Sequence, residues 1–369
     1  MKIPSEDKSI HGELKNGFDM KESESDKKCP YISVIITAHD RKEFIKEAIY
    51  SVINQTLSRS LYEIIVIKNF DDQEIDNLIE KETIINLKVR DNSLIGEDLS
   101  LGIEKAKGEI ISFLDDDDLF MAEKLETVYN SFKKYENLVY FHNNEYFIDD
   151  KDIPTKFWVK NVNEDVILNY VSNLNEIFEL RDHGIFFNMS SISLRKNKIM
   201  GYLEHLKKIN TNPDDFMFFI STSDQHNLFK LSKEKLTKYR LHQSTSINLS
   251  KDINKFLNHN MKILKDFVSA KTIIMDSLDE NTIYKSFVKY SLISNKINLY
   301  LIANNYDIKF NELLFNFVTS FKIKGSKPKI EGLYYLTLFI FSKISYERVR
   351  EFYGRRNFKY IQEKMSNYL

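Results

Sequence analysis

The chain has 369 residues and a formal net charge of -1, which allows one large domain or two ordinary ones and excludes a general electrostatic pull toward nucleic acid. Its hydrophobic share, 42%, supports a real core, and a single cysteine, Cys29, excludes an internal disulfide framework and suits a reducing compartment. No apolar leader opens the chain, and the longest apolar run, Leu333 to Phe341, is about half of what a spanning helix requires. The expectation is a cytoplasmic protein, soluble or peripheral on a membrane.

Residues 1–29 are polar, mixed in charge and without a sustained apolar period, so they are expected to form a mobile tail. From Tyr31 the pattern changes. Ile32 to Thr37 is a β-branched run typical of a buried parallel strand. A helix follows, with Phe44, Ile45, Ala48, Ile49, Val52 and Ile53 on one stripe. Glu63 to Ile67 predicts the second strand, Asp71 to Glu82 a helix, and Ile84 to Val89 a third strand. Gly96 precedes a helix through Lys107 that Gly108 stops, and Glu109 to Leu114 predicts a fourth strand. Strand and helix alternating at these spacings mean a mainly parallel central sheet with right-handed crossovers. Ligands bind such sheets beyond the carboxyl ends of the strands.

Further on, the sequence predicts a helix to about Lys134, a strand from Leu138 to Phe141, and an irregular stretch to about Asn210 that contains a strand-like Ser190 to Leu194. From Lys251 onward long helical periods with one proline, Pro328, predict a mainly helical C-terminal region. Three units follow: a tail over 1–29, an α/β domain over 30–250 with halves 30–145 and 146–250, and a helical domain over 251–369.

Asp115, Asp116, Asp117 and Asp118 begin where the fourth strand ends. Like charges this close raise one another's pKa or bind a cation, and oxygen-only ligands suit Mg2+ or Mn2+ shared with substrate phosphates. A lone acidic run reads equally as a solvated loop in which Asp117 or Asp118 caps a helix. Placement on the ligand-binding edge of the sheet favours the metal reading.

Tyr31 to Leu125 resembles the inverting glycosyltransferases of family 2, which have the GT-A fold. Ser33 to Arg41 is similar to the opening strand and first nucleotide loop of that family, with Thr37, His39, Asp40 and Arg41 at the sugar donor. Ser51-Val52-Ile53-Asn54-Gln55-Thr56 is similar to its Ser-Val-x-x-Gln-Thr helix end, and Gly102 with Ala106 to Asp118 to its Asp-x-Asp approach. These matches, in order over about a hundred residues, form a specific signal. Pro213-Asp214-Asp215-Phe216 looks like the acidic pair whose second member is usually the base, and Tyr239 to Ser246 like a Tyr-Arg-x-His-x-x-Ser segment. On residues alone, Asp214 and Asp215 serve equally as a helix cap and first-turn acid.

The resemblance implies a GT-A nucleotide-binding fold that moves a sugar from a UDP- or GDP-linked donor to a glycan or lipid-linked acceptor, with inversion. It implies Asp117 and His242 as metal ligands, Asp115 and Asp116 at the sugar donor, and Asp215 as the base. Lys68 and Asn69 stand where the family commonly has two aspartates, and Leu99 and Ser100 where it has Arg-Asn. Asn69 is expected to read the nucleobase edge, with Lys68 or Arg90 supplying the missing positive charge. Two rivals remain, a polyprenyl-phosphate glycosyl synthase and a catalytically inactive binding homologue. A nucleotidyltransferase lacks support, because no Gly-rich phosphate loop follows the first strand. Residues 321–369 carry eleven lysines and arginines against four glutamates. This predicts either a solvated basic face or a surface resting on anionic lipid.

Overall fold

The computed structural model describes residues 29–157, 159–211, 213–224, 226–241, 252–280, 282–303 and 306–366. The expected tail, apart from Cys29, lies outside these residues, as does the expected boundary near 250.

Ile32–Ala38 (β1), Tyr62–Lys68 (β2), Ile85–Lys88 (β3) and Ile110–Asp115 (β4) alternate with helices Ile45–Ile53 (α1), Gln73–Lys81 (α2) and Ile95–Lys105 (α3). All four strands are parallel, and Ile35 of β1 lies between Ile65 of β2 and Phe113 of β4. Both faces of β1 are buried, which suits its mostly β-branched sequence. Ile32, Val34 and Ile36 pack on one side with Ile45, Ile49 and Ile75; Ile35 packs on the other with Leu99 and Ile103. Gly108 lets the α3–β4 turn lie directly on β1, since a Cβ there would come within 2.6 Å of the Ser33 nitrogen and 2.7 Å of the Ile32 carbonyl carbon.

The next elements are Leu119–Phe120 (β5), Lys124–Lys134 (α4), Leu138–Ile148 (β6), Val166–Leu168 (β7), Leu174–Asp182 (α5), Ile192–Arg195 (β8), Leu203–Leu206 (α6), Pro213–Ser221 (α7) and Leu228–Arg240 (β9). One sheet runs β3-β2-β1-β4-β8-β6-β9-β5, with β7 paired to β9. It is parallel through β4. Antiparallel pairing through β8 and on both short strands beside β9 makes the sheet mixed as a whole. The β6 strand runs seven residues past its predicted end at Phe141, and β9 was not predicted at all.

Five helices complete the chain: Ile253–Ser277 (α8), Ile283–Ile302 (α9), Phe310–Lys322 (α10), Lys327–Ser342 (α11) and Tyr346–Ser366 (α12). Ala270 and Ile274 of α8 and Tyr284 and Phe287 of α9 share a core with Phe216 to Ile220 of α7. Ring contacts of 5.6 Å (Phe219–Tyr284) and 5.7 Å (Phe219–Phe287) tie the helices to the sheet. A second core gathers Ile293, Ile297, Leu301, Leu313, Leu338 and Val349. Among the described residues no helix is long and apolar enough to cross a membrane.

Candidate active site

The carboxyl ends of β1, β2 and β4 lie side by side, because their parallel register pairs Thr37 with Asp115 and Ala38 with Lys68. Everything that leaves these ends therefore gathers along one edge. Asp40 takes a left-handed backbone (φ 60°), and its N–H donates to Asn69 Oδ1 (2.9 Å). Asn69 Nδ2 donates back to Asp40 Oδ1 (2.7 Å), so the amide closes the first loop onto the second. His39 contacts the Asp91 carbonyl through Nε2 at 2.8 Å.

Lys68, at the end of β2, and Arg90, after β3, are both held by other partners. Lys68 is buried and turned aside, donating to the Phe70 carbonyl (2.7 Å) and pairing with Asp76 (2.8 Å). Arg90 is held by both oxygens of Glu97 (3.0 and 2.9 Å). The cation at the acidic turn is Arg41. Its Nη2 pairs with Asp116, its Nε reaches Asp116 at 3.3 Å, and its Nη1 pairs with Asp117 at 2.6 Å.

Asp115, Asp117 and Asp118 each bring one carboxylate oxygen within 4.8 Å of the others. Asp115 and Asp117 are half-buried; Asp118 is fully buried. One Asp118 oxygen accepts the Arg240 N–H (2.9 Å), while the other makes no hydrogen bond. Burial, then Asp117 and Asp116, push the Asp115 carboxyl up to about 8. Burial and then Asp117 push Asp116 up to about 7. Burial drives Asp118 well above the carboxylate range, with Asp117 adding to it and the Ser190 hydroxyl opposing it. Several acids held together, one with a buried oxygen lacking a partner, fit a divalent cation of the Mg2+ or Mn2+ type.

Arg240 pins this turn from behind. Its Nε donates to the Asp117 carbonyl (2.9 Å), its Nη1 pairs with Asp152 (2.8 Å), its Nη2 bonds Glu47 (3.1 Å), and its guanidinium lies 4.2 Å over the Phe44 ring. Beneath the turn, Lys124 is completely buried and donates to Asn143, to the Ser190 carbonyl (2.9 Å) and to Thr237 (3.4 Å). The Ser190 hydroxyl in turn accepts the Asp115 N–H (3.0 Å). Burial pulls Lys124 down to about 7 and pushes nearby Glu145 up to about 8. Sequence reasoning missed Lys124 and Glu145, and it singled out Arg240 only as part of a motif, without a role. The available signal was a polar His-Asn-Asn-Glu stretch, His142 to Glu145, continuing an apolar strand without a turn residue.

The second acidic pair opens α7. Asp215, expected as the base, is buried and ion-paired to Lys271, which reaches it from α8. Asp214 acts on the acidic turn. Its charge raises the pKa of Asp115, its Oδ1 is buried without a hydrogen bond, and burial and then Asp215 push its carboxyl up to about 7. Successive helical residues point about 100° apart, so one of two adjacent acids can face the site while the other faces the helical region. His242 lies outside the described residues.

A mixed sheet with two nucleotide-type loops and an acidic turn at its carboxyl edge, followed by helices, is the GT-A architecture. Residues 33–200 match the sequence model of glycosyl transferase family 2. It is 34% identical over 123 residues to an uncharacterized glycosyltransferase of Rickettsia bellii (strain RML369-C), covering 32% of this chain and 17% of that one. It is 24% identical over 289 residues to the poly(ribitol-phosphate) beta-N-acetylglucosaminyltransferase TarP of Staphylococcus aureus (strain N315), covering 74% and 77%. The fold is similar to the crystal structure of S. aureus TarS 1-349 in complex with UDP, with a TM-score of 0.53 and 12% identity over 91% of each chain. The chain spans 17%, 44% and 45% of the lengths of three Rickettsia relatives.

Proposed function

We propose that the protein transfers a sugar from a nucleoside-diphosphate donor to an acceptor hydroxyl with inversion, and that it depends on a divalent cation. The observation that carries this reading is Asp214, a carboxylate without a hydrogen-bond partner at Oδ1 that acts electrostatically on the acidic turn. In the proposed reaction the acceptor O–H gives its proton to Asp214 as its oxygen attacks the anomeric carbon. The bond from that carbon to the diphosphate oxygen breaks, and the nucleoside diphosphate leaves with the electron pair. A single displacement inverts the centre. Asp115, Asp117 and Asp118 would hold the cation, which supplies positive charge to the leaving diphosphate. Thr37, His39, Asp40 and Asp116 line the edge on which the sugar donor would lie, and Arg41 adds positive charge there. Lys124 and Arg240 keep the acidic turn in place from below.

A carboxylate base favours a hydroxyl acceptor over a polyprenyl phosphate, because an ionised phosphate needs no base and would be repelled by one. The uridine nucleotide in the TarS structure and the activity named for TarP support a UDP-linked donor and a polymer acceptor; the proposal extends to an acceptor that is lipid-linked or membrane-proximal. Nuclear magnetic resonance of the product tests the mechanism. An anomeric configuration opposite to that of the donor is expected, and retention would overturn the single displacement.

Asn69 is proposed to act on the nucleotide by holding Asp40, since its carbonyl and amide groups are both bonded there. Asn69→Asp would set two carboxylates against each other and remove the N–H donor, at a cost of about 1–3 kcal/mol. Calorimetric titration should then show roughly tenfold weaker binding of uridine, guanosine and thymidine diphosphates alike. A changed preference among the three, with no general loss, would instead make Asn69 a direct reader of the base.

A further inference from the structure

We infer that the outward faces of α10 and α11 form a lipid-contacting surface that seats the protein on an anionic membrane. Both helices carry a row of exposed apolar side chains in addition to the face they bury. Along α10 the exposed row is Phe310, Leu314, Val318 and Phe321; along α11 it is Ile330, Leu333, Ile340 and Phe341, continued by Ile344 just past the helix end. Ile344 is 80% exposed, Ile330 64% and Phe310 59%. No charged side chain interrupts either row, and Thr337 is the polar member of the second.

The inward faces set small and polar residues among the apolar ones of the helical core. Leu313, Asn316, Thr319 and Ser320 are buried on α10, and Gly332, Leu338, Phe339 and Ser342 on α11. Asn316 Nδ2 donates to Ser294 Oγ (2.8 Å), and Ser342 Oγ lies 2.6 Å from the Tyr300 hydroxyl. Gly332 sits against Ser320 so closely that a Cβ would collide with its hydroxyl. Small residues at the helix contact, polar side chains bonded inside and large apolar ones outside is how helices pack in lipid; water-facing helices show the reverse. With 13 and 16 residues the pair is too short to span a bilayer, which leaves a position in the headgroup layer.

Charge identifies the occupant. Lys322, Lys324, Lys327 and Lys329 ring the turn between the helices, and Lys343 stands at the far end, all exposed, with Glu331 the exposed acid among them. Such a fringe complements an anionic headgroup layer. A second copy of the chain on the same face would bring a like-charged fringe against it. The exposed Leu333, Ile340 and Phe341 belong to the apolar run singled out in the sequence, whereas Leu338 and Phe339 of that run are buried.

This surface gives the proposed enzyme its membrane-proximal acceptor, and its test needs no sugar donor, cation or acceptor. The full chain is sedimented with vesicles of phosphatidylcholine alone and with phosphatidylglycerol added, at low and high salt. It is compared with Leu333→Ser/Phe341→Ser and with Lys324→Gln/Lys327→Gln/Lys329→Gln. The wild type should pellet with anionic vesicles at low salt and be released at high salt, and each variant should bind about tenfold more weakly. Thermal unfolding of the variants should match the wild type, because the replaced side chains are exposed. Recovery of the wild type in the supernatant with anionic vesicles would overturn the proposal. So would a dimer, measured by analytical ultracentrifugation, that Leu333→Ser/Phe341→Ser dissociates, because the face would then belong to a second copy. Nucleotide release from a soluble sugar donor should be equal in wild type and variants, which separates failure here from failure of the proposed chemistry.

Discussion

Replacing Asp214 by asparagine is expected to lower turnover by about 10²–10⁴-fold while leaving sugar-donor affinity unchanged, because a general base acts only in the transition state. Asp215→Asn should behave differently. It leaves Lys271 of α8 buried without its ionic partner, so the loss should appear as stability, about 3 kcal/mol, with turnover reduced far less in the folded fraction. Lys271→Met adds a readout that a purely structural lysine would not move. The Lys271 charge holds the Asp214 pKa down, so its removal should shift the acidic limb of the rate profile to higher pH. If Asp215→Asn abolishes turnover with its unfolding midpoint intact, and Asp214→Asn does not, the base is Asp215 and the orientation argued from Lys271 is wrong.

Asp117→Asn is expected to abolish cation-dependent binding of the sugar donor, and excess chelator should have the same effect on the wild type. The substitution discharges one of three converging carboxylates. Asp117 is half-buried in a turn crowded with like charge, so the variant empties no core volume and relieves repulsion. Its unfolding midpoint should therefore not fall below that of the wild type. Undiminished binding of a nucleotide sugar in excess chelator would contradict the assignment.

Strands β1, β2 and β4 were legible because each is a short apolar run buried on both faces; the half-exposed β3 was legible from its place between two helices. Gly108 was legible as a stop, although its closeness to β1 was not. The second half of the sheet hid behind charge. In β9 the run Lys233-Glu234-Lys235 and then Lys238 look like a solvated loop, yet Lys230 and Arg240 are buried because Asp165, Asp152 and Glu47 meet them from elsewhere in the chain. The latter part of β6 reads as polar for a similar reason: Asn143 accepts from the buried Lys124, His142 meets the Phe187 carbonyl, and Asn144 donates to the Val162 and Lys233 carbonyls. Which member of Asp214-Asp215 faces the site depends on where Lys271 arrives, fifty-six residues later, and no local pattern encodes that. The acidic turn itself was legible because its aspartates follow a strand end, where the backbone alone fixes their place. Lys68 was misleading in isolation, since its partner Asp76 lies on the next helix and removes it from the edge.

Nucleotide release is the measurement that bears most directly on the proposed transfer. Purified protein is incubated with a panel of UDP-, GDP- and TDP-linked sugars, with Mn2+ or Mg2+ and then with chelator, and the nucleoside diphosphate set free is quantified. Release from a restricted set of donors, UDP-linked among them, is expected; it should need the cation and fall about 10²–10⁴-fold in Asp214→Asn. Binding of these donors without release under any condition, or release indifferent to both chelator and Asp214→Asn, would contradict a cation-dependent inverting glycosyltransferase built on this acidic edge.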